Sequence, residues 1–284
     1  MRLLIVGITG MLGNTLFRYF SQQPGIEVYG TVRDGRTKAR FDPAHYDAII
    51  DGVDADHFDS ITSAFAQTKP DVVINAVGLI KQLQSSKDPL STLPLNALFP
   101  HRLARLCAVA GARLIHISTD CVFNGGAGNY IETDIPDAID LYGRSKLLGE
   151  VDYPHAITLR TSIIGHELAS ANGLIGWFLS QQGATRGYTR AIFSGFPTIE
   201  LARIIEHHVV PRPELHGLYH VASTPISKHD LLQLTAATYN KVIEIIPDDT
   251  FVIDRSLNAD QFNKATGYQP PSWPELVRAM KNFG

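Results

Sequence analysis

The chain has 284 residues, 44% of them hydrophobic and 19% charged, enough for one large α/β domain or two unequal ones. A formal net charge of −3 offers no basic field to nucleic acid or to an anionic membrane, and no run nears the ~18 apolar residues of a membrane span. The opening MRLLIVGITG breaks at Gly7, too early for a signal-peptide core, and the only cysteines, Cys107 and Cys121, form neither a disulfide framework nor a zinc pattern; a cytoplasmic location is expected.

In chain order, the apolar RLLIVG predicts a strand, followed by a glycine turn and the amphipathic helix MLGNTLFRYFSQQ. A second strand, IEVYGTVR, follows Pro24-Gly25; then come DAIIDGVD, a helical DHFDSITSAFAQTKP and the apolar strand DVVINAVG. A long helix, LNALFPHRLARLCAVAG, precedes the strand RLIHIST. The helix LYGRSKLLGEV, the strand HAITLRTSIIG and the helix LIGWFLSQQ complete the first pattern. Apolar runs without alternation, separated by helical segments, indicate a parallel sheet covered on both faces. The expected fold is α/β: a Rossmann-type doubly wound parallel sheet over residues 1–164, with a smaller C-terminal α/β substrate-binding domain over 165–284. Some segments of the second half are expected to return to the first. That half contains the predicted helices TIELARIIEHHVV, KHDLLQLTAATYN and SWPELVRAMKNF and the strand GLYHVAS; Pro270-Pro271 sets off the last helix.

In such open sheets ligands bind beyond the carboxyl ends of the strands, so the loops there hold the candidate residues. Gly7, Gly10 and Gly13 lie between the first strand and its helix. Glycine suits a tight turn, a close approach to a pyrophosphate and close helix–strand packing, and the helix N-terminus offers N–H groups to the anion. The spacing is G-x-x-G-x-x-G, and a shape-only turn is the plain alternative. At the end of the second strand, Arg33 suits the 2′-phosphate of NADP, while Asp34 beside it keeps NAD open.

Tyr142 and Lys146 stand at i and i+4 of a predicted helix, on one face. A phenol is a poor acid–base catalyst at neutral pH unless a neighbouring ammonium group stabilises its anion. A hydroxyl from another loop would complete such a site, and Thr119 closes the strand RLIHIST. A bare Y-x-x-x-K is most often a surface helix face, but the glycine turn and the strand-end Ser-Thr favour the catalytic reading. Lys81 and Gln82 follow DVVINAVG, where a cation could meet substrate phosphate or simply face solvent. Arg186, Tyr188 and Arg190 in GATRGYTRAIF, after a helix of the second half, are candidates for a diphosphate and base. His216 and His220 fall on a strand, where i,i+4 spacing separates their Cα atoms by ~13 Å, and EHHVV has no further ligand beside it. No protein-bound metal is expected.

GITGMLG, PDVVINAVG, STDCVFNG, YIETD, YGRSKLLGE, LRTSIIG and FPTIELARII, in that order, resemble the dTDP-4-dehydrorhamnose reductase family, in the nucleotide-sugar branch of extended short-chain dehydrogenases/reductases. The resemblance implies an NAD(P)H-dependent reduction of the 4-keto group of a nucleotide-activated 4-keto-6-deoxyhexose, by a monomer or homodimer. By that resemblance Gly7, Gly10, Met11 and Leu12 belong to the cofactor turn, Asp54 and Ala55 hold the adenine, and Asn75, Ala76 and Val77 lie under the cofactor. Thr161 and Ser162 fall beside the nicotinamide, and Thr119, Tyr142 and Lys146 match the catalytic triad. Asn96 aligns with a helix asparagine of the superfamily.

Two rival functions follow. One is a dehydratase or epimerase of the same branch. Dehydratases resemble one another in having Asp-Glu after the threonine, whereas here Asp120 precedes Cys121, which argues against elimination but hardly against epimerisation. The other is a non-catalytic NADP-binding subunit like the regulatory subunit of methionine adenosyltransferase, which resembles this family. Cys121 also stands where many rhamnose-type reductases carry the tyrosine of STDYVF, so the identity of the sugar stays open.

Overall fold

The structure is a computed structural model that describes residues 1–81 and 84–284; the expectation for Gln82 falls outside them. β1 (Arg2–Val6) leads into α1 (Met11–Phe20) and β2 (Glu27–Thr31), then β3 (Ile49–Ile50), α2 (Phe58–Thr68) and β4 (Val72–Asn75). A short α3 (Pro89–Thr92) precedes the long helix expected from Leu95, whose first residues lie in a wide π-type turn over Leu93–Leu98 that leads into α4 (Phe99–Ala110). Pro94 and Pro100 are the physical cause, since neither has the N–H that a continuous ladder needs. β5 (Arg113–Thr119), α5 (Leu141–Leu148) and β6 (Ala156–Thr161) follow. Next come β7 (Ile163–Ile164), α6 (Leu174–Ser180), β8 (Ala184–Tyr188), β9 (Ala191–Phe193), β10 (Phe196–Pro197) and α7 (Thr198–Ile204). The chain ends with β11 (Gly217–His220), β12 (Ile226–Ser227), α8 (Lys228–Tyr239), β13 (Glu244–Asp248), β14 (Ile253–Asp254), α9 (Asp260–Thr266) and α10 (Trp273–Phe283).

The main sheet has seven strands in the order β11-β6-β5-β4-β1-β2-β3. β1 runs parallel to β2, with Leu3 opposite Val28, and to β4, with Leu3 opposite Val72; β4–β5 and β2–β3 are parallel too. The chain winds outward from β1 in one direction and then, from β4, in the other. Gly7 and Ala76, which follow β1 and β4, therefore lie at the switch point of a doubly wound sheet, where ligands bind in this architecture. Apolar burial holds it together: α1 buries Leu12, Leu16, Phe17 and Phe20, and one continuous cluster includes Leu4, Ile61, Phe65, Val73, Phe99, Leu103 and Leu114.

The chain divides into two compact units that interleave, in place of one cut at residue 164. The first is Met1–Ser118, Ile139–Leu159 and Val209–Leu218; the second is Thr119–Ala138, Arg160–His208 and Tyr219–Gly284. The reason is that β5 and β6 belong to the main sheet while the loops leaving their ends belong to the second unit. Arg113 on β5 ties Val209–Leu218 to the first unit by donating to the carbonyls of Val209 (2.6 Å) and Leu215 (2.7 Å). The second unit has a small sheet β12-β9-β14, the parallel pairs β13–β8 and β10–β7, and helices α6 to α10. GATRGYTRAIF, which the sequence pattern assigns to no element, forms β8 and β9. Among the described residues no helix is long and apolar enough to cross a membrane.

Candidate active site

Gly7 adopts φ +92°, a conformation that favours glycine, and its N–H donates to Thr31 Oγ1 (3.0 Å). A Cβ on Gly13 would overlap the Gly7 carbonyl oxygen, so this glycine is needed to pack helix on turn. Gly10 is different. Its φ of −75° suits any residue, and the nearest atom to a Cβ there is 4.0 Å away. What its missing side chain leaves is open space over the start of α1, which has no side-chain cap and no acidic residue in its first turn. The ladder of α1 begins with the Asn14 N–H on the Gly10 carbonyl, 2.9 Å, so the amides of Met11, Leu12 and Gly13 precede it. A positively polarised, uncrowded helix start fits a dinucleotide pyrophosphate.

Around this turn, Arg33 is exposed just beyond β2. Asp34 is occupied within the chain: its carboxylate accepts from Arg36 Nε (2.9 Å) and from the Arg36 backbone N–H (3.0 Å), which holds it below the usual carboxylate range. Between β3 and α2, the Asp54 N–H donates to Ser60 Oγ (2.8 Å), and its carboxylate accepts from the Asp56 N–H (3.1 Å); Asp54 and Ala55 are half-buried. Asn75 is buried at the end of β4. The Ala76 N–H donates to the Val6 carbonyl (3.0 Å), and that of Val77 to Asn75 Oδ1 (3.1 Å).

Asp140 caps α5, accepting the Gly143 N–H (2.8 Å). Tyr142 is half-buried, whereas Lys146 is 6% exposed, with Nζ donating to the Ile117 carbonyl (2.7 Å). Burial lowers the Lys146 ammonium to about 8, only partly countered by the charge of Glu150. Asn96 clamps the loop after β4 to α5: Oδ1 accepts the Leu79 N–H (2.8 Å), and Nδ2 donates to the Leu79 carbonyl (3.1 Å) and to Ser145 Oγ (3.2 Å). Lys81, a candidate for substrate phosphate, ion-pairs with Asp140 at the start of α5 (2.6 Å).

In the second unit, Thr119 Oγ1 donates to Asp120 Oδ1 (3.1 Å) and accepts the Cys121 N–H (3.1 Å). Burial raises the Asp120 carboxyl, opposed by the Thr119 hydrogen bond and by the charge of Arg255. Lys228 lies close enough to Asp120 and Cys121 for their charges to oppose the lowering that burial imposes on its ammonium. Thr161 is buried at the end of β6, and the Ser162 carbonyl accepts the Phe196 N–H (2.8 Å). Arg186 pairs with Asp248 of the neighbouring strand (3.2 Å), Tyr188 packs its ring against Phe251 (centroids 5.2 Å apart) and Arg190 is exposed. His220 is structural: its Nδ1 contacts the Tyr130 carbonyl (2.9 Å) and its Nε2 contacts Arg160 (3.2 Å).

Two arrangements escaped the sequence reading. Asp140 serves both cap and ion pair, and an aspartate two residues before Tyr142 was a readable capping signal. Asn75 Nδ2 and His116 Nδ1 lie 3.2 Å apart, both residues buried, and nothing local in the sequence joins them.

Known proteins bear on this geometry. The chain is 27% identical over 316 aligned residues to a dTDP-4-dehydrorhamnose reductase of Aggregatibacter actinomycetemcomitans, covering 99% of this chain and 98% of that one. It is 34% identical over 157 residues to the methionine adenosyltransferase 2 subunit beta of Mus musculus, covering 52% of this chain but only 41% of that subunit. A dTDP-4-dehydrorhamnose reductase from Bacillus anthracis, solved in complex with NADP, has the same fold: TM-score 0.79 at 21% identity, covering 99% of this chain and 98% of that one. A family model described as the RmlD substrate binding domain matches residues 1–282, and the chain belongs to that family.

Proposed function

We propose that the protein is an NAD(P)H-dependent reductase of the 4-keto group of a nucleotide-activated 4-keto-6-deoxyhexose, with NADP the favoured dinucleotide. The observation that carries this is Lys146, an ammonium 6% exposed and lowered to about 8, one helical turn from Tyr142. Family membership and the end-to-end likeness to a dTDP-4-dehydrorhamnose reductase support the substrate class. Exposed Arg33 and the engagement of Asp34 by Arg36 support NADP over NAD, because the acid that would hold a ribose hydroxyl is already paired.

When bound, the dinucleotide supplies the hydride. Tyr142 gives its phenolic proton to the substrate oxygen as negative charge develops there, and Lys146 stabilises the resulting phenolate. The Thr119 hydroxyl turns its single proton from Asp120 to that oxygen, holding it in line; such positioning accounts for much of the acceleration. The amides of Met11, Leu12 and Gly13 hold the pyrophosphate. Arg186, Tyr188 and Arg190 take the diphosphate and base of the sugar nucleotide, with Arg186 leaving Asp248 to do so. The subunit-like reading has less support, since the chain keeps Thr119, Tyr142 and Lys146 and its likeness to a reductase runs over 99% of its length.

NADPH oxidation is measured with dTDP-, UDP- and GDP-linked 4-keto-6-deoxy sugars. One substrate should consume NADPH in proportion to product; Y142F should lose at least ~10³-fold in turnover, within the range that general acid catalysis supplies, while binding NADPH as the wild type does. Product formed without net NADPH consumption would point to an epimerase.

A further inference from the structure

Asn75 can place its amide in only one way. The Val77 N–H donates to Oδ1 (3.1 Å), which leaves Nδ2 facing His116 Nδ1 at 3.2 Å. An NH₂ group only donates, so Nδ1 must present a lone pair and the ring proton must sit on Nε2. An imidazolium would turn an N–H against that NH₂. His116 is accordingly neutral, in keeping with its complete burial and the nearby charge of Lys146, which both hold it well below its ordinary value. Nε2 is buried without a hydrogen-bond partner among the described residues. A leucine would remove that unsatisfied N–H but leave Asn75 Nδ2 without this acceptor, so what the imidazole contributes here is the Nδ1 lone pair.

What the ring supplies is an acceptor behind Asn75. Asn75 in turn holds Val77, whose Cγ2 stands 2.7 Å from where a Cβ of Gly7 would be, so Val77 backs directly onto the glycine turn. We propose that His116 is a positioning residue for the dinucleotide site, acting through Asn75 and Val77 on the turn at Gly7. This rests on the reading of Gly7 to Leu12 as the dinucleotide's turn.

The test is NADPH binding, followed by its fluorescence, beside thermal unfolding. H116L removes the acceptor and should weaken NADPH about tenfold, the scale of one hydrogen bond. H116N places Oδ1 where Nδ1 was and should bind within about twofold of wild type, although its smaller side chain leaves a cavity and makes it the less stable of the two. Affinity and stability thus rank the variants in opposite order, which a merely structural histidine would not do. If H116L does not fold, N75A breaks the same chain of bonds and should show the tenfold loss. Wild-type affinity in H116L, or in N75A where it stands in, overturns the inference, as does affinity that follows stability. A wild-type protein that takes up no NADPH overturns both the inference and the reading beneath it.

Discussion

An ammonium group on a side chain 6% exposed is a liability to the fold. Lys146 titrates near 8 instead of its ordinary 10.5, a difference that corresponds to roughly 3 kcal/mol against the folded state at neutral pH. The slope has the same sign as for a paired carboxylate, since both folded-state values are lowered, but here the charged form carries a penalty at neutral pH and not a gain. Between pH 8 and 10.5 the unfolded chain binds the proton that the folded chain has released, so this contribution makes stability rise with pH; below 8 the penalty is constant. K146M should therefore be about 1–3 kcal/mol more stable at pH 7, flatter in its melting temperature above pH 8, and inactive; scanning calorimetry across pH and the NADPH assay check both halves. Gly10 and Gly13 separate function from fold at the same scale. G13A should cost about 1–3 kcal/mol because its Cβ meets the Gly7 carbonyl. G10A should change stability by less than about 0.5 kcal/mol yet weaken NADPH by tenfold or more, measured by titration.

At the scale of elements, α5 is the critical piece. It has eight residues, too few to hold itself together, and depends on its cap and on Asn96. D140A should cost about 1 kcal/mol through the lost cap and lower turnover by displacing Tyr142. D140N should keep most of the stability, because an amide oxygen still caps, while releasing Lys81; urea unfolding beside steady-state kinetics distinguishes them. The elements readable in the sequence were those written as largely apolar runs between helical patterns, β1, β4, β5 and β6, and the helices with a clear stripe such as α1 and α10. Likewise the glycine turn and Tyr142-x-x-x-Lys146 are local patterns. β8 and β13 were not legible: their burial is mixed, and they are paired through partners such as Arg186 and Asp248, 62 residues apart. The Asn75–His116 contact spans 41 residues and involves polar side chains, which periodicity cannot flag.

At the scale of the molecule, residues 1–164 are not a self-sufficient piece. They lack β11, the neighbour of β6, and the carbonyls of Val209 and Leu215 that hold Arg113. A fragment ending at residue 164 should aggregate or be cleaved rapidly by protease, whereas the full chain resists; limited proteolysis with light scattering checks this. The order of manufacture gives the same strand arrangement another meaning. Every residue of β6 is buried in the finished protein, yet its outer neighbour β11 begins only at Gly217. A ribosome that has released β6 must still translate the stretch up to residue 217 before the last edge of the sheet can be covered. During that interval the growing chain presents an open, apolar strand to every other chain around it, and the yield of folded protein depends on how quickly that wait ends.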